Sequence, residues 1–433
     1  MLHKNAIQKI DTAIRFFLYL LIFWLPYSKA VVESSVVTAL ILWLVKKVVM
    51  ACFAQRSNPA ALRFDVKYFI LSLKPRPNFL NGPIGIFLVF ALVSTVMSVS
   101  FWESIQGFVN KTLEWFIIYF LMIEVFTERK YVYRVIYVFL FTSLATVLDS
   151  LSQFYWIHKD IFLGYTMSDN RATAGFNHGN DLAGYLTFVV PLTLSLSFGK
   201  KEWKTILGVL GTLVSMWSLF VTFSRGGWVA TIWGIFFFLI LMGRTRRHFI
   251  SFGVILFVIW LGISFTIPRK ELRLDNLNVH ITVDYRESLW HDSWRMILNR
   301  PGFGYGPNTY MSTFVDFGRS IRGGNYYKPT YAHNCFIQLA AEFGLVGLTC
   351  FLWILGQFFI KIMQQLKNSR ESFEESDRGL QFLSAGLLSG TLAFLLHSCV
   401  DTNLFSLQLS ALFWYMVGLQ GAIYQVQTSF LKK

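Results

Sequence analysis

Residues 334–360 read "NCFIQLAAEFGLVGLTCFLWILGQFFI", and this run decides what kind of protein the chain is. It is longer than the roughly 20 apolar residues an α-helix needs to cross a bilayer. Just before it stands a polar stretch, "KPTYAH" (328–333), so His333 and Asn334 fall where a wet loop becomes apolar. A titratable ring at that place either marks the water boundary or works as a base above the membrane surface. The rest of the chain has to decide between the two.

Working outward, apolar runs of similar length occur near 13–28, 31–51, 83–101, 112–127, 132–157, 179–198, 205–224, 227–243, 248–267, 380–399 and 404–425. The pattern predicts an all-α polytopic membrane protein with about 12 transmembrane helices. Composition agrees, since 54% of the 433 residues are hydrophobic, 18% aromatic and only 15% charged, against about 25% charged in soluble domains. The segment "RFDVKYFILSLKPRP" (63–77) is too short and too basic to span and reads as an amphipathic piece on the inner surface. The expected division is a first helical block to 267, a long loop over 268–333 with short helices, and a last block over 334–433.

Lys and Arg set the orientation. They gather in alternate connections, from Lys46 and Lys47 to Arg76 and then in "TERKYVYR", "GKKEWK", "GRTRRH", "KNSRESFEESDR" and "LKK". The positive-inside rule puts those connections and both termini in the cytoplasm, and the loop between helices 9 and 10 outside. The net charge of +15 is therefore topological, and nucleic acid is not an expected partner. Cys52, Cys335, Cys350 and Cys399 show neither metal-ligand spacing nor a disulfide framework. The first apolar run lacks a small-residue cleavage site and leads straight into a second, so no cleaved leader is expected.

This orientation puts Arg171, His178, Arg225, Arg286 and His333 on the external face, from four separate parts of the chain. In "SDNRATAGFNHGNDLAGYL" (168–186), Asn177 or Asn180 is placed to cap a helix. Arg171 is awkward there, because a cation beside a helix N-terminus opposes the dipole unless an anion lies between. In "TFSRGGWVA" (222–230), Arg225 has no acidic neighbour in sequence. It is either a snorkelling interfacial cation or a planar fork for phosphate oxygens. The loop stretch "DYRESLWHDSWRMILNRPGFGYGPNTY" (284–310) carries Leu289, Trp290, Ser293, Met296 and Ile297 at helical spacing. Arg286 lies one turn before Trp290, and Asn299 and Pro301 stop the helix. Trp290 and Trp294 read first as interfacial packing, and Asp284, Glu287 and Asp292 as solvated. His397 and Asp401, between the last two runs, belong either to the site's wall or to helix packing, and packing is the preferred reading. His333 at a helix N-terminus favours a neutral imidazole, which is what a general base needs.

At this point the residues resemble a family. "RATAGFNHGNDLAGYL", "TFSRGGW", "R-x3-W-x3-W-x-MI-x2-RPGFGYGPN" and "AHNCFIQLAAEFGLVGL" stand here in the order typical of O-antigen ligases, within the superfamily of O-antigen polymerases and protein O-oligosaccharyltransferases. The resemblance covers roughly 80–420. It implies a GT-C-like, metal-independent glycosyltransferase of the bacterial inner membrane, without cofactor, its active site facing the periplasm. The implied partners are a glycan on undecaprenyl diphosphate as donor, lipid A–core as acceptor, and membrane lipids. By motif, His333 matches the essential histidine, and Arg225 and Arg286 match the arginines that hold the diphosphate. Arg171, His178, Asn334 and Arg295 fall at substrate-binding positions. Gly179 stands where the family more often has proline.

Two other enzymes and one non-enzyme compete. A polymerase would join the same donor to a second lipid-linked glycan, and Arg295 to Gly306 fits the Arg-x10-Gly pattern ascribed to such loops. A protein O-oligosaccharyltransferase would add a larger C-terminal region. A secondary transporter or glycan flippase would need ionisable residues at mid-membrane, for which Asp149 and Glu114 are the candidates.

Overall fold

Apolar helices joined by short polar turns make up a computed structural model that describes residues 2–53, 65–199, 202–243, 279–318, 331–372 and 378–431. The first part of the chain forms α1 (Leu2–Trp24), α2 (Lys29–Phe53), α3 (Val66–Ser72), α4 (Asn81–Val96), α5 (Phe101–Gly107), α6 (Glu114–Val125) and α7 (Arg129–Ser152). There follow α8 (Gly179–Leu196), α9 (Glu202–Val221), α10 (Arg225–Leu241), α11 (Val279–Asn299), α12 (Tyr310–Phe314), α13 (Cys335–Ser372), α14 (Arg378–Ser398) and α15 (Leu407–Leu431). No strand occurs among the described residues. Five helical segments there are long and apolar enough to cross a membrane: Lys29–Phe53, Arg129–Ile157, Glu202–Val221, Cys335–Ser369 and Arg378–Ser398. The expected run near 248–267 lies outside the described residues.

Two runs differ from the reading of the sequence. The short run at 112–127 is the end of a longer helical stretch, because α5 passes through a π-turn at Phe108–Leu113 into α6. The run at 334–360 is not one straight helix: α13 breaks at Gly344, whose backbone lies at φ 70° and ψ 177°. The interfacial segment is described from Asp65, whose side chain caps α3 by accepting the Tyr68 N–H at 2.9 Å.

Small residues let the central helices approach closely, as expected where lipid gives no hydrophobic drive to helix association. A Cβ at Gly390 would sit 2.9 Å from Phe188 Cα of α8, and one at Gly234 of α10 would sit 2.8 Å from Ala393 Cβ of α14. Trp414 and Tyr415 of α15 are fully buried in the same core. At the end of the bundle where α2 and α6 finish, Lys46 and Lys47 are buried and meet Glu124 Oε1 at 3.0 and 3.2 Å; Lys46 also meets Asp11 at 2.7 Å. Buried charge needs such partners. The opposite end gathers the turns in which α1, α4, α7, α9 and α14 finish and α8, α10, α13 and α15 begin.

Candidate active site

The break in α13 builds the floor of this end. Without helical partners, the groups around Gly344 pair with the Gly-rich turn after α11: Tyr305 N–H donates to Ala341 O at 3.1 Å, Gly306 N–H to Glu342 O at 2.8 Å, and Leu345 N–H to Pro301 O at 2.7 Å. The buried Glu342 carboxylate accepts the Asn308 N–H at 2.9 Å and the Gln338 amide at 3.3 Å. Residues 335–343 therefore form an outer half-helix bonded to the loop that ends α11.

α11 presents the stripe its spacing predicts. Leu289, Met296 and Ile297 are buried, and Ser293 Oγ lies 2.6 Å from the Tyr310 hydroxyl. Trp294 is 51% exposed, but Trp290 does more than pack: its indole N–H donates to Ala332 O at 2.9 Å, fixing the residue before His333. Asp292 is buried rather than solvated, with Arg295 Nη1 and His291 Nδ1 each 3.6 Å from its Oδ1. Arg295 thus sits one helical turn from a carboxylate on its own helix.

His333 occupies the left-handed region at φ 48°, uncommon for a side chain with a Cβ, and this turns the chain sharply into the half-helix. Asn334 starts that helix, its Oδ1 accepting the Phe336 and Ile337 N–H groups at 3.0 and 3.1 Å. The His333 side chain is 32% exposed, and its Nδ1 lies 3.8 Å from Asp401 Oδ1. That is too long for a hydrogen bond and short enough for charge to act.

Asp401 is the residue that sequence reasoning undervalued. It is buried, its Oδ1 accepts the Thr402 N–H at 2.8 Å and its Oδ2 accepts the Asn180 amide. Burial pushes its carboxyl up, but contact with His333 and the Thr402 N–H outweigh that and hold it well below the usual carboxylate range. Asp401 is anionic at neutral pH. Asn180 also accepts from Arg171, whose Nε donates to Thr222 O at 2.6 Å. The awkward cation is explained: Arg171 faces the C-terminal carbonyls of α9, where the dipole favours it, and meets an anion through Asn180. Neither expected cap is used. The N-cap of α8 is His178, exposed and without a side-chain cap bond, while Asn177 is exposed and Asn180 serves the bridge. A Cβ at Gly179 would stand 2.9 Å from both Arg171 Nε and Thr222 O, so only glycine leaves that bond undisturbed.

A second cluster holds the turn that carries Arg225. Ser224 caps α10, accepting the Gly227 N–H at 3.4 Å. His397 Nδ1 lies 3.0 Å from the Asn403 amide nitrogen, so it accepts there, and Nε2–H donates to Ser224 Oγ at 3.3 Å. His397 is buried and used for positioning. Arg225 is exposed and Arg286 half-buried, and neither makes a hydrogen bond or ion pair among the described residues. Arg286 and Arg171 both lie near enough for their charges to bear on His397. This end of the bundle thus holds an imidazole backed by a carboxylate and two cations that no described side chain neutralises.

The Asn180 bridge can be tested by itself. Asn180→Ala removes a donor from Asp401 and an acceptor from Arg171, and the expected cost is about 1–3 kcal/mol, read as a lowered unfolding midpoint of the purified protein.

The O-antigen ligase family model matches residues 183–352, a segment that holds Arg225, Arg286, Arg295, His333 and Asn334 but not Arg171, His178 or Asp401. A Rickettsia prowazekii (strain Madrid E) protein provisionally named as a polysaccharide ligase is 25% identical over 194 residues, covering 43% of this chain and 42% of that relative. The chain thus spans under half the length of the curated relative it matches. Through the matched segment, which holds its arginines and its histidine, the chain is similar to the O-antigen ligase family.

Proposed function

We propose that the protein is a glycosyltransferase of the bacterial inner membrane, moving a glycan from undecaprenyl diphosphate to a sugar hydroxyl of lipid A–core at the periplasmic face. The observation that carries the reading is the His333–Asp401 pair, at the end of the bundle where α10 begins with Arg225 and where positive-inside reasoning puts the periplasm. His333 takes the acceptor proton on Nε2, the deprotonated oxygen attacks the anomeric carbon, and the bond to the diphosphate breaks. One displacement inverts the anomeric configuration. Asp401, anionic on the Nδ1 side, orients the ring and stabilises the imidazolium as it forms. The leaving diphosphate gathers negative charge, and the two guanidinium groups meet it with planar hydrogen-bond donors. With such a leaving group the step requires neither a metal nor an acid catalyst.

Asp149, one of the two candidates for a transport role, stands near the end of α7. It is buried, but its Oδ1 accepts the Ile161 N–H at 2.7 Å and so pins the 158–166 loop. A polymerase would share the donor and the pair and differ in acceptor. The Arg-x10-Gly spacing lends it little, since Arg295 faces Asp292 while Gly306 lies against Glu342. The deciding assay gives purified protein a lipid-linked donor with lipid A–core or a second lipid-linked glycan; product on lipid A–core alone is the expected result. In the same assay, Arg225→Ala is expected to lower kcat by about 10²–10³, the scale for removing one donor to developing negative charge. Arg225→Lys, which keeps charge but loses the fork, should recover only part of that.

A further inference from the structure

We propose that a wedge between α7 and α9 binds an anionic phospholipid of the leaflet opposite the candidate active site. The two helices are fastened together at the end nearer the site, where Ser150 Oγ lies 2.6 Å from Ser218 Oγ and the Trp217 indole donates to the Tyr155 hydroxyl at 3.1 Å. Away from that fastening they leave a cavity of about 1050 Å³, walled by α7 from Tyr133 to Val147 and by α9 from Trp203 to Ser215, with α8 and the start of α14 behind.

Its chemistry changes along its length. The interior is apolar, with Leu140, Leu207 and Leu210 among its walls. Lys204 and Arg378, on the first turns of α9 and α14, line the end away from His333, and no Asp or Glu among the described residues lines the cavity. Neither cation makes an ion pair among the described residues. Trp203, 57% exposed, and Tyr137, 54% exposed, flank the same end, as aromatic residues do at headgroup depth. Hydrocarbon below and positive charge above, unpaired among the described residues, is the complement of an anionic lipid, and basic pockets between spanning helices bind such headgroups.

Length selects among lipids. From Tyr133 to Val147 the wall measures about 21 Å at a 1.5 Å rise per residue. That is the depth of one leaflet's hydrocarbon, roughly 15 Å, with its interfacial layer. A two-chain phospholipid fits this depth, whereas an extended long polyisoprenoid does not. This site is separate from the transfer chemistry and does not rest on it.

The test is native mass spectrometry of the full chain, released from micelles carrying phosphatidylglycerol, phosphatidylcholine or a long-chain polyprenyl phosphate. The parent should retain one phosphatidylglycerol in preference to the other two. Lys204→Gln/Arg378→Gln should bind it about 30-fold more weakly, at roughly 1 kcal/mol per cation. Leu210→Trp, which fills the apolar part from a lipid-facing position, should lose the adduct although both cations remain. Lys67→Gln/Lys74→Gln, which changes as much charge elsewhere, should bind as the parent does. Undiminished retention in the first variant and in Leu210→Trp would overturn the proposal, as would preferential capture of polyprenyl phosphate or a second copy of the chain in the wedge.

Discussion

His333→Ala is expected to slow glycan transfer by about 10²–10⁴, the range for losing a positioned general base, while the protein still inserts and still binds lipid-linked donor. The ring packs little and is 32% exposed, so the fold has small reason to respond. Asp401→Ala separates orientation from base chemistry. Asp401 touches the reaction only through His333, so the double variant should be no slower than His333→Ala alone. Asp401→Ala should also lower the unfolding midpoint, because Asn180 and the Thr402 N–H lose their acceptor. Single-turnover rates of the three variants, with donor retention measured in parallel, give the readout. Near-normal transfer by His333→Ala would remove the base assignment.

The second large effect falls on a residue with no chemistry of its own. Gly344 lies at φ 70° and ψ 177°, a region essentially closed to residues with a Cβ. A Cβ there would also run into the Gly302 carbonyl. Gly344→Ala is expected to cost about 1–3 kcal/mol from the backbone alone, with the clash against the Gly302 carbonyl added to that, lowering the unfolding midpoint and transfer together as the 301–306 turn loses its seat. Gly356 provides the contrast on the same helix. A methyl group added there would meet open space, with nothing within 4 Å, and Gly356→Ala should leave both quantities unchanged. Equal behaviour of the two variants would refute the account of the break.

The helical class of the protein was legible because long apolar runs have few alternatives in a bilayer. The stripe on α11 was legible because Leu289, Met296 and Ile297 repeat at helical spacing. The kink at Gly344 was not: glycine is frequent in spanning helices, and Gly347 and Gly356 in the same run stand in ordinary helix. What distinguishes Gly344 is a turn brought against it from residues 301–306, and local pattern carries no trace of that. The contacts of Asp401 were hidden for a similar reason. Its partners, His333 and Asn180, come from remote segments, and a carboxylate between two apolar runs is as readily a packing residue. Arg171 was noticed because it opposed a helix dipole, and the discomfort was informative: the missing acceptor, Thr222 O, is supplied by another helix end. Trp290 was half legible, its apolar ring from spacing and its N–H bond to Ala332 only from the fold.

The interruption in α13 also decides what the His333 ring moves with. In an unbroken helix, rocking of the lipid-embedded part would be passed up the peptide ladder to its first turn. Here that ladder stops at Gly344, and the nine residues beyond it are clamped sideways onto the turn that follows Arg286's own helix. His333 and Arg286 thus sit on segments joined by the same hydrogen-bonded turn, and under the proposed mechanism thermal tilting in the bilayer would shift the two together.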